Sequence, residues 1–230
     1  MTDIVLLLYP GLTQLDLTGP FEVFRRIPDT RVHLAWRTLD PVVSDSGMAI
    51  LPTVTLADCP PCEVLCVPGG PGQIDFMEDM ELLAWLRAQA AQARWITSVC
   101  TGSLLLGAAG LLQGYRAACH WMSRDQLALL GAKPTAERVV RDRNRITGGG
   151  VTAGIDFALQ LAALLRNEDT ARAIALQMEY DPAPPFGPGS PEASELALIT
   201  ALKQKAKPML ARRRAATERA AARLRSQGQQ

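Results

Sequence analysis

Short runs of branched apolar residues alternate along the chain with longer stretches of helical periodicity. Ile4–Tyr9 is nearly all apolar, which is typical of a strand buried on both faces of a parallel sheet. Pro20 follows Thr18-Gly19, and proline is common at the first position of a helix, so a helix is predicted to begin at Pro20 and to run through Phe21–Arg26. The same patterns predict strands at Val32–Trp36, Val64–Val67 and Trp95–Val99, a strand pair at Val139–Arg141 and Arg145–Thr147, and helices at Glu81–Ala93, Ser103–Leu112, Thr152–Arg166 and Glu168–Met178.

This alternation predicts an α/β fold with a doubly wound parallel sheet, where functional residues collect beyond the C-terminal strand ends. The composition changes near residue 181, because Asp181–Pro191 contains five prolines and two glycines and does not favour a regular element. An Ala/Lys/Arg-rich helix is expected from Pro191 to Arg225. We therefore predict one α/β domain over residues 1–180. Residues 181–230 would form a Pro-rich linker and a basic helix that packs on the domain or on a dimer partner.

Charge and cysteine content narrow the class of protein. The 230 residues include 24 basic and 23 acidic side chains, so the overall charge indicates neither nucleic acid nor a membrane surface as partner. The N-terminal segment MTDIVLLLYPG is shorter and more acidic than a signal peptide, and no apolar run has the length of a membrane span. Five cysteines in such a chain are expected to be reduced thiols. We therefore expect a cytoplasmic protein.

Cys100 lies at the most informative position in the chain, between the predicted strand Trp95–Val99 and the helix that follows it. Thr101, Gly102 and Ser103 are small, so the strand can turn sharply into the helix and lift one side chain above the sheet edge, as in a nucleophile elbow. The N–H groups at the start of a helix favour a thiolate. The sequence therefore predicts a nucleophilic cysteine. The alternative is a buried structural cysteine.

A thiol nucleophile often needs an adjacent imidazole, but the chain has only His33 and His120. His33 falls in a predicted strand and is interpreted as structural. His120 follows a short run near a strand end and is a candidate pocket residue. A Cys–His protease is therefore disfavoured.

Asp16 follows the first strand, on the same predicted rim as Cys100. Its neighbours Leu15 and Leu17 are apolar, so the carboxyl is expected to be partly buried. Two acidic groups in a dry site do not both ionise easily, and a thiol with a carboxylic acid would supply a nucleophile and a proton donor without histidine. The alternative is an aspartate that caps the next helix.

Two glycine-rich segments fall on the same rim. Gly69 and Gly70, in Pro68-Gly-Gly-Pro-Gly72, follow the strand Val64–Val67 and would let backbone N–H groups approach an anion, although a simple tight turn explains them equally well. Gly150, in Gly148-Gly-Gly, is interpreted as pocket wall.

Several ordered motifs together resemble a known family. The segments QLDLTGP, CVPGGPG, TSVCTGSLLLGAAGLLQG, CHW, TGGGVTAGIDFAL and EYDPAPPFGPGSP are similar to the ThiJ/PfpI group of the class I glutamine-amidotransferase-like superfamily, over residues 4–190. The resemblance implies a flavodoxin-like sandwich, a homodimer, and no metal or organic cofactor.

By position, the resemblance implies that Cys100 is the nucleophile, Asp16 the acidic residue beside it, and Thr101 a further catalytic residue. Gly69 and Gly70 match glycines near the substrate, and His120 matches a histidine near the cysteine in relatives. PfpI-type proteases and deglycase-like relatives carry His after the cysteine and Glu in place of Asp16, so this chain departs from them.

Within the group the likeness is strongest to members that hydrate isocyanides. It implies a hydro-lyase that takes a small isocyanide and adds water to give an N-substituted formamide, through a thioimidate on Cys100 with Asp16 as general acid and base.

Other functions stay open at this point. An exposed Cys100 would also suit a redox or stress sensor. AraC-type regulators contain a similar sensor fold, but their helix-turn-helix half is longer than the segment after residue 181. Lys203–Arg225 holds nine basic residues and one acid, and a solvated or dimer-wrapping helix explains it better than nucleic-acid binding. Cys59-Pro-Pro-Cys62 precedes a strand and has no second pair of ligands, so neither a redox nor a zinc site is expected.

Overall fold

A seven-stranded sheet lies at the centre of the protein. The computed structural model describes residues 1–187 and 189–227; Pro188 of the predicted linker and residues 228–230 of the predicted tail lie outside the described residues. In chain order the strands are β1 (Thr2–Leu7), β2 (Thr30–Trp36), β3 (Val42–Val43), β4 (Ala49–Ile50), β5 (Val54–Thr55), β6 (Val64–Val67), β7 (Trp95–Val99), β8 (Arg116–Ala117), β9 (Lys133–Pro134), β10 (Val139–Asp142) and β11 (Arg145–Gly148).

The strand order in the main sheet is β10-β11-β7-β6-β1-β2-β5. Every neighbouring pair is parallel except the hairpin β10–β11, which confirms the predicted strand pair. The chain builds outward from β1 through β2 to β5 and then returns to the other side of β1 with β6. The switch of direction between β1 and β6 is where sites form in open α/β sheets. The predicted α/β, doubly wound, flavodoxin-like class is confirmed.

Two groups of helices flank this sheet. The helices are α1 (Gln14–Phe24), α2 (Gln73–Phe76), α3 (Met80–Gln92), α4 (Gly102–Ala108), α5 (Ala153–Leu165), α6 (Glu168–Gln177) and α7 (Leu196–Gln227), with 3-10 turns at Arg124–Leu130 and Pro191–Ala193. Helices α1, α5 and α6 pack together, and α4 packs with α2, α3 and α7. None of the described helices is long and apolar enough to span a membrane.

The prediction that a helix begins at Pro20 is wrong. Helix α1 begins at Gln14, after the extended residue Thr13, and contains Pro20 in its interior. Pro20 lacks an N–H, so it removes one hydrogen bond to the preceding turn. Tertiary packing holds the helix through this point: a Cβ on Gly154 of α5 would lie 3.0 Å from Pro20 Cδ. Asp16 consequently lies in the first turn of a helix instead of in a loop.

Candidate active site

Cys100 occupies a tight elbow between β7 and α4. Its φ is +56°, a left-handed conformation that L-residues adopt rarely and that is typical of functional turns. Its backbone N–H donates to Gly148 O at 2.9 Å, which ties the elbow to the end of β11. A Cβ on Gly102 would lie 2.1 Å from Val67 O, so only glycine allows the turn to approach β6 this closely.

Asp16 is fully buried below this elbow. Its Oδ2 accepts a 2.9 Å hydrogen bond from the Gly69 N–H, while Oδ1 has no hydrogen bond of good geometry within the described part of the chain. Burial raises the pKa of the carboxyl from 3.8 to about 7, against the opposing hydrogen bonds from Gly69 and the Cys100 side chain. Near neutral pH the carboxyl is therefore close to its titration midpoint and can both accept and donate a proton.

The start of α4 favours a Cys100 thiolate, as expected, but this effect is outweighed. Burial first, and the nearby Asp16 charge second, hold the pKa of this thiol well above its usual range, although the Thr101 backbone N–H and Arg213 both lower it. The dipole of a helix end is a weak effect compared with the desolvation of a buried charge. The resting pair is therefore a neutral thiol beside a carboxyl that titrates first.

Thr101 links the elbow to the glycine turn after β6. Its Oγ1 accepts from the Gly70 N–H at 3.0 Å, and the Gly70 carbonyl lies 3.3 Å from the same hydroxyl. Since the Gly69 N–H is bonded to Asp16, both amides of the predicted cradle already have protein partners. This turn therefore positions Asp16 and Thr101 instead of presenting free donors to an anion.

The close approach of this turn requires glycine. A Cβ on Gly69 would lie 2.5 Å from Thr101 N and 2.7 Å from Asp16 Oδ2. Gly70 has φ +134°, and a Cβ there would lie 2.4 Å from Thr13 N. Both glycines are thus needed to bring the ends of β1, β6 and β7 together.

A cavity of about 200 Å³ opens above Cys100. The structure brings Cys100, Thr101, Gly70 and His120 to this cavity. Gly69 lies beneath it against Asp16, and Gly150 lines an adjoining cavity of about 300 Å³ that shares His120 and Val151 with the first. The sequence patterns did not indicate the remaining lining residues, which are Thr13, Pro71, Met122, Val151, Met209 and Arg213.

Neither histidine forms a hydrogen bond to Cys100 within the described residues. His33 lies in β2, where its Nε2 is 2.8 Å from Asp3 Oδ1. Burial, assisted by Arg213, lowers the pKa of His120 from 6.5 to about 4, so its ring is neutral at physiological pH. Its Nδ1 accepts from the Met122 N–H at 3.4 Å, and His120 serves as a neutral polar wall of the cavity.

Helix α7 closes the cavity from above. Met209 and Arg213 from this helix line the cavity, and Arg213 is only 4 % exposed. Its Nε donates to Gln73 Oε1 at 2.8 Å and its Nη1 to Ser123 Oγ at 3.1 Å. The run Arg212-Arg213-Arg214 was the only sign of this contact, and it reads equally well as a solvated basic surface.

Cys59, Cys62 and Cys66 do not line the cavity above Cys100, whereas Cys119 lines the adjoining cavity. Burial raises the pKa of Cys59 to about 11 and that of Cys62 to about 12. All five cysteines are free thiols. Within residues 1–187 and 189–227, no group of three or more His, Cys, Asp or Glu side chains is placed to hold a metal ion.

Comparison with known proteins identifies relatives of this chain. It is 56 % identical over 218 residues to a protein named isonitrile hydratase from Pseudomonas putida, covering 95 % of this chain and 96 % of that protein. It is 31 % identical over 183 residues to the HTH-type transcriptional regulator GbdR from Pseudomonas aeruginosa, covering 76 % of this chain but only 50 % of that regulator.

A solved structure gives the same result. The crystal structure of a ThiJ/PfpI family protein from Pseudomonas syringae superimposes with a TM-score of 0.91 and 46 % identity, covering 94 % of this chain and 90 % of that chain. Residues 2–164 match the model of the DJ-1/PfpI family. The predicted resemblance is thus confirmed, and the chain belongs to the DJ-1/PfpI family.

Proposed function

We propose that this protein is an isonitrile hydratase, a hydro-lyase that converts R–N≡C and water into the N-substituted formamide. The observation that carries the proposal is the buried Asp16–Cys100 pair in a chain 56 % identical over nearly its full length to a protein of that name. Isocyanide carbon accepts both a nucleophile and a proton, so one thiol and one carboxyl supply the two groups that the first step needs.

In the first step, Cys100 adds to the terminal carbon of the isocyanide. Asp16, as a carboxylate, takes the thiol proton while Sγ forms a bond to carbon. Asp16 then returns that proton to the same carbon, which gives the thioimidate R–N=CH–S–Cys100. The thiol and the isocyanide together contain every atom of this adduct, so no other reactant is required.

Water completes the reaction in the second step. Asp16 accepts a proton from water as its oxygen attacks the thioimidate carbon, and the proton passes to the substrate nitrogen. The resulting R–NH–CH(OH)–S–Cys100 collapses by breaking the C–S bond. The hydroxyl proton returns through Asp16 to the thiol, and R–NH–CHO leaves.

The surrounding residues position this pair. Thr101 supplies its backbone N–H to the Cys100 sulfur and its hydroxyl to the Gly70 turn, which favours one orientation of the elbow. Gly69 fixes Asp16 through Oδ2 and leaves Oδ1 for proton transfer. We propose that Gly70 and His120 contact the substrate at the cavity, and that Gly150 forms part of the wall of the adjoining cavity.

Formamide formation from phenyl isocyanide tests the proposal. We expect turnover by the wild type, background rates for Cys100→Ala, and a loss of about 100-fold or more for Asp16→Asn, the range for a general acid–base group. Cys62→Ala is the matched control, because it removes another buried thiol near the start of β6 and should retain activity. No turnover by the wild type, or full activity of Cys100→Ala, would exclude the proposal.

The same samples distinguish the alternatives. A neutral, desolvated Cys100 reacts slowly with oxidants, which argues against a redox sensor. A ligand-binding regulator, suggested by the match to half of GbdR, would bind isocyanides without releasing formamide, so binding by the wild type in the absence of turnover would favour it.

We further propose a homodimer in the cytoplasm. The dimer is supported by the family resemblance and by exposed apolar side chains at the start of α7, Leu196, Leu198 and Leu202, since such surface often marks an interface. Five free thiols suit a reducing compartment. Light scattering of the purified protein tests the dimer, and a monomeric mass at micromolar concentration would contradict it.

A further inference from the structure

Arg213 differs from Arg212 and Arg214, the residues beside it on α7, in having only neutral hydrogen-bond partners. Arg212 pairs with Asp75, Arg214 with Asp125 and Glu218, and Arg219 with Glu78. The guanidinium of Arg213 is bonded to Gln73 and Ser123, both of which are buried and uncharged. Among the residues that the structure describes, no carboxylate pairs with it.

A buried cation without a counter-ion is costly. Arginine remains protonated in proteins, and a charge removed from water needs an opposite charge or a full set of hydrogen bonds. Gln73 and Ser123 engage Nε and Nη1, which leaves the N–H groups of Nη2 for another partner. Arg213 lines the cavity above Cys100, so that partner is expected to be a molecule bound there.

Cys100 does not fill this role at rest. Arg213 lowers the pKa of the thiol, but burial and Asp16 outweigh it and keep the thiol neutral. The rest of the cavity wall is uncharged, with Met122, Val151 and Met209 contributing apolar surface. The cavity thus combines an apolar lining, a thiol and one cation.

We propose that Arg213 is a specificity-determining residue that binds a carboxylate on the substituent of the isocyanide, so that the favoured substrates are anionic isocyanides. This inference rests on the proposed hydratase function and narrows its substrate class. The guanidinium is planar and suits a bidentate hydrogen bond to a carboxylate.

Substrate pairs that differ only in charge test the inference. Isocyanoacetate is compared with its methyl ester, and 4-isocyanobenzoate with its methyl ester. The two pairs differ in the distance from the isocyanide carbon to the carboxylate. In at least one pair, we expect the wild type to favour the carboxylate in kcat/KM by about ten- to hundredfold, the range of one charge-assisted hydrogen-bonded pair.

Variants of α7 assign this preference to Arg213. Arg213→Met should remove it, mainly through a higher KM for the carboxylate, and Arg213→Lys should restore part of it. Arg212→Met is the matched control, because this exposed neighbour pairs with Asp75 outside the cavity. Circular dichroism checks that Arg213→Met is folded. If Arg213→Met is not folded, the test uses Arg213→Lys instead. The ratio of kcat/KM for the carboxylate to kcat/KM for the ester is then compared between the wild type and Arg213→Lys.

Calorimetric binding of 4-formamidobenzoate separates this inference from the proposed function. If the wild type hydrates neither member of a pair, the hydratase function fails, but binding that Arg213→Met weakens still supports the carboxylate site. If each ester is hydrated with the same kcat/KM as its carboxylate, or if Arg213→Met keeps the preference for the carboxylate, the inference is overturned. The hydratase function stands in both cases.

Discussion

The buried Asp16 carboxyl predicts an unusual dependence of stability on pH. A carboxyl with its pKa raised from 3.8 to about 7 in the folded protein binds its proton more tightly when folded than when unfolded. The free energy of unfolding therefore falls as pH rises through the window from about 4 to about 7. For this fully buried group, the destabilisation amounts to about 2 kcal/mol at pH 5 and about 4 kcal/mol at pH 8.

Asp16→Asn isolates this contribution, because asparagine never ionises. The amide keeps an oxygen for the Gly69 N–H but buries an NH₂ group, a cost of about 1–3 kcal/mol that does not vary with pH. The difference between the unfolding free energies of variant and wild type should therefore shift by about 2–3 kcal/mol in favour of the variant from pH 5 to pH 8. In a chain of this size, the shift corresponds to about 4–12 °C in Tm.

Urea denaturation at pH 5, 6, 7 and 8, followed by circular dichroism, measures the effect. Asp181→Asn is the control, because it makes the same chemical change at an exposed position outside the Asp16–Cys100 pair. A constant difference between Asp16→Asn and wild type across this range would refute the raised pKa, and with it the order of titration in the Asp16–Cys100 pair.

Three further outcomes follow from the site. The kcat/KM for isocyanide hydration should rise with pH through about 7, because the Asp16 carboxylate must accept the thiol proton; a profile flat from pH 5.5 to 8 would contradict this role. Gly69→Ala should lower kcat/KM at least about tenfold, because its Cβ would displace Thr101 and Asp16; wild-type kcat/KM in this variant would contradict the positioning role of the glycine turn. Iodoacetamide should alkylate Cys100 at pH 7 at least about ten times more slowly than it alkylates the thiol of glutathione, because Cys100 is neutral and buried. Mass spectrometry measures the extent of alkylation at Cys100. Equal rates for the two thiols would favour a reactive sensor thiol.

The central sheet was predictable because its strands carry their own signal. A strand such as Ile4–Tyr9 is covered on both faces, so nearly every residue in it is apolar. The small strands β3, β4 and β5 were not predicted, since each has only two residues and no detectable period. The start of helix α1 was predicted wrongly because the preference of proline for the first turn of a helix is a local effect. The packing of Pro20 against Gly154, a contact between residues far apart in sequence, outweighs it.

The members of the site were predictable to different degrees for a similar reason. Cys100, Asp16 and the glycine turn follow strands directly, so a parallel sheet places them on one edge. Arg213 lies on a helix where successive residues point about 100° apart, so Arg212, Arg213 and Arg214 face different surroundings. Which of the three turns inward depends on where α7 packs, and no local pattern encodes that.

The revised order of titration changes how the proposed reaction begins. If Cys100 were already a thiolate before the substrate bound, another group would have to supply the proton that the isocyanide carbon takes up. A neutral thiol beside the Asp16 carboxylate holds the nucleophile and its proton together, and the reaction adds both to one carbon atom. Burial, which raises both pKa values, thus makes Cys100 a poor general nucleophile but suits it to a substrate that takes up its proton as well.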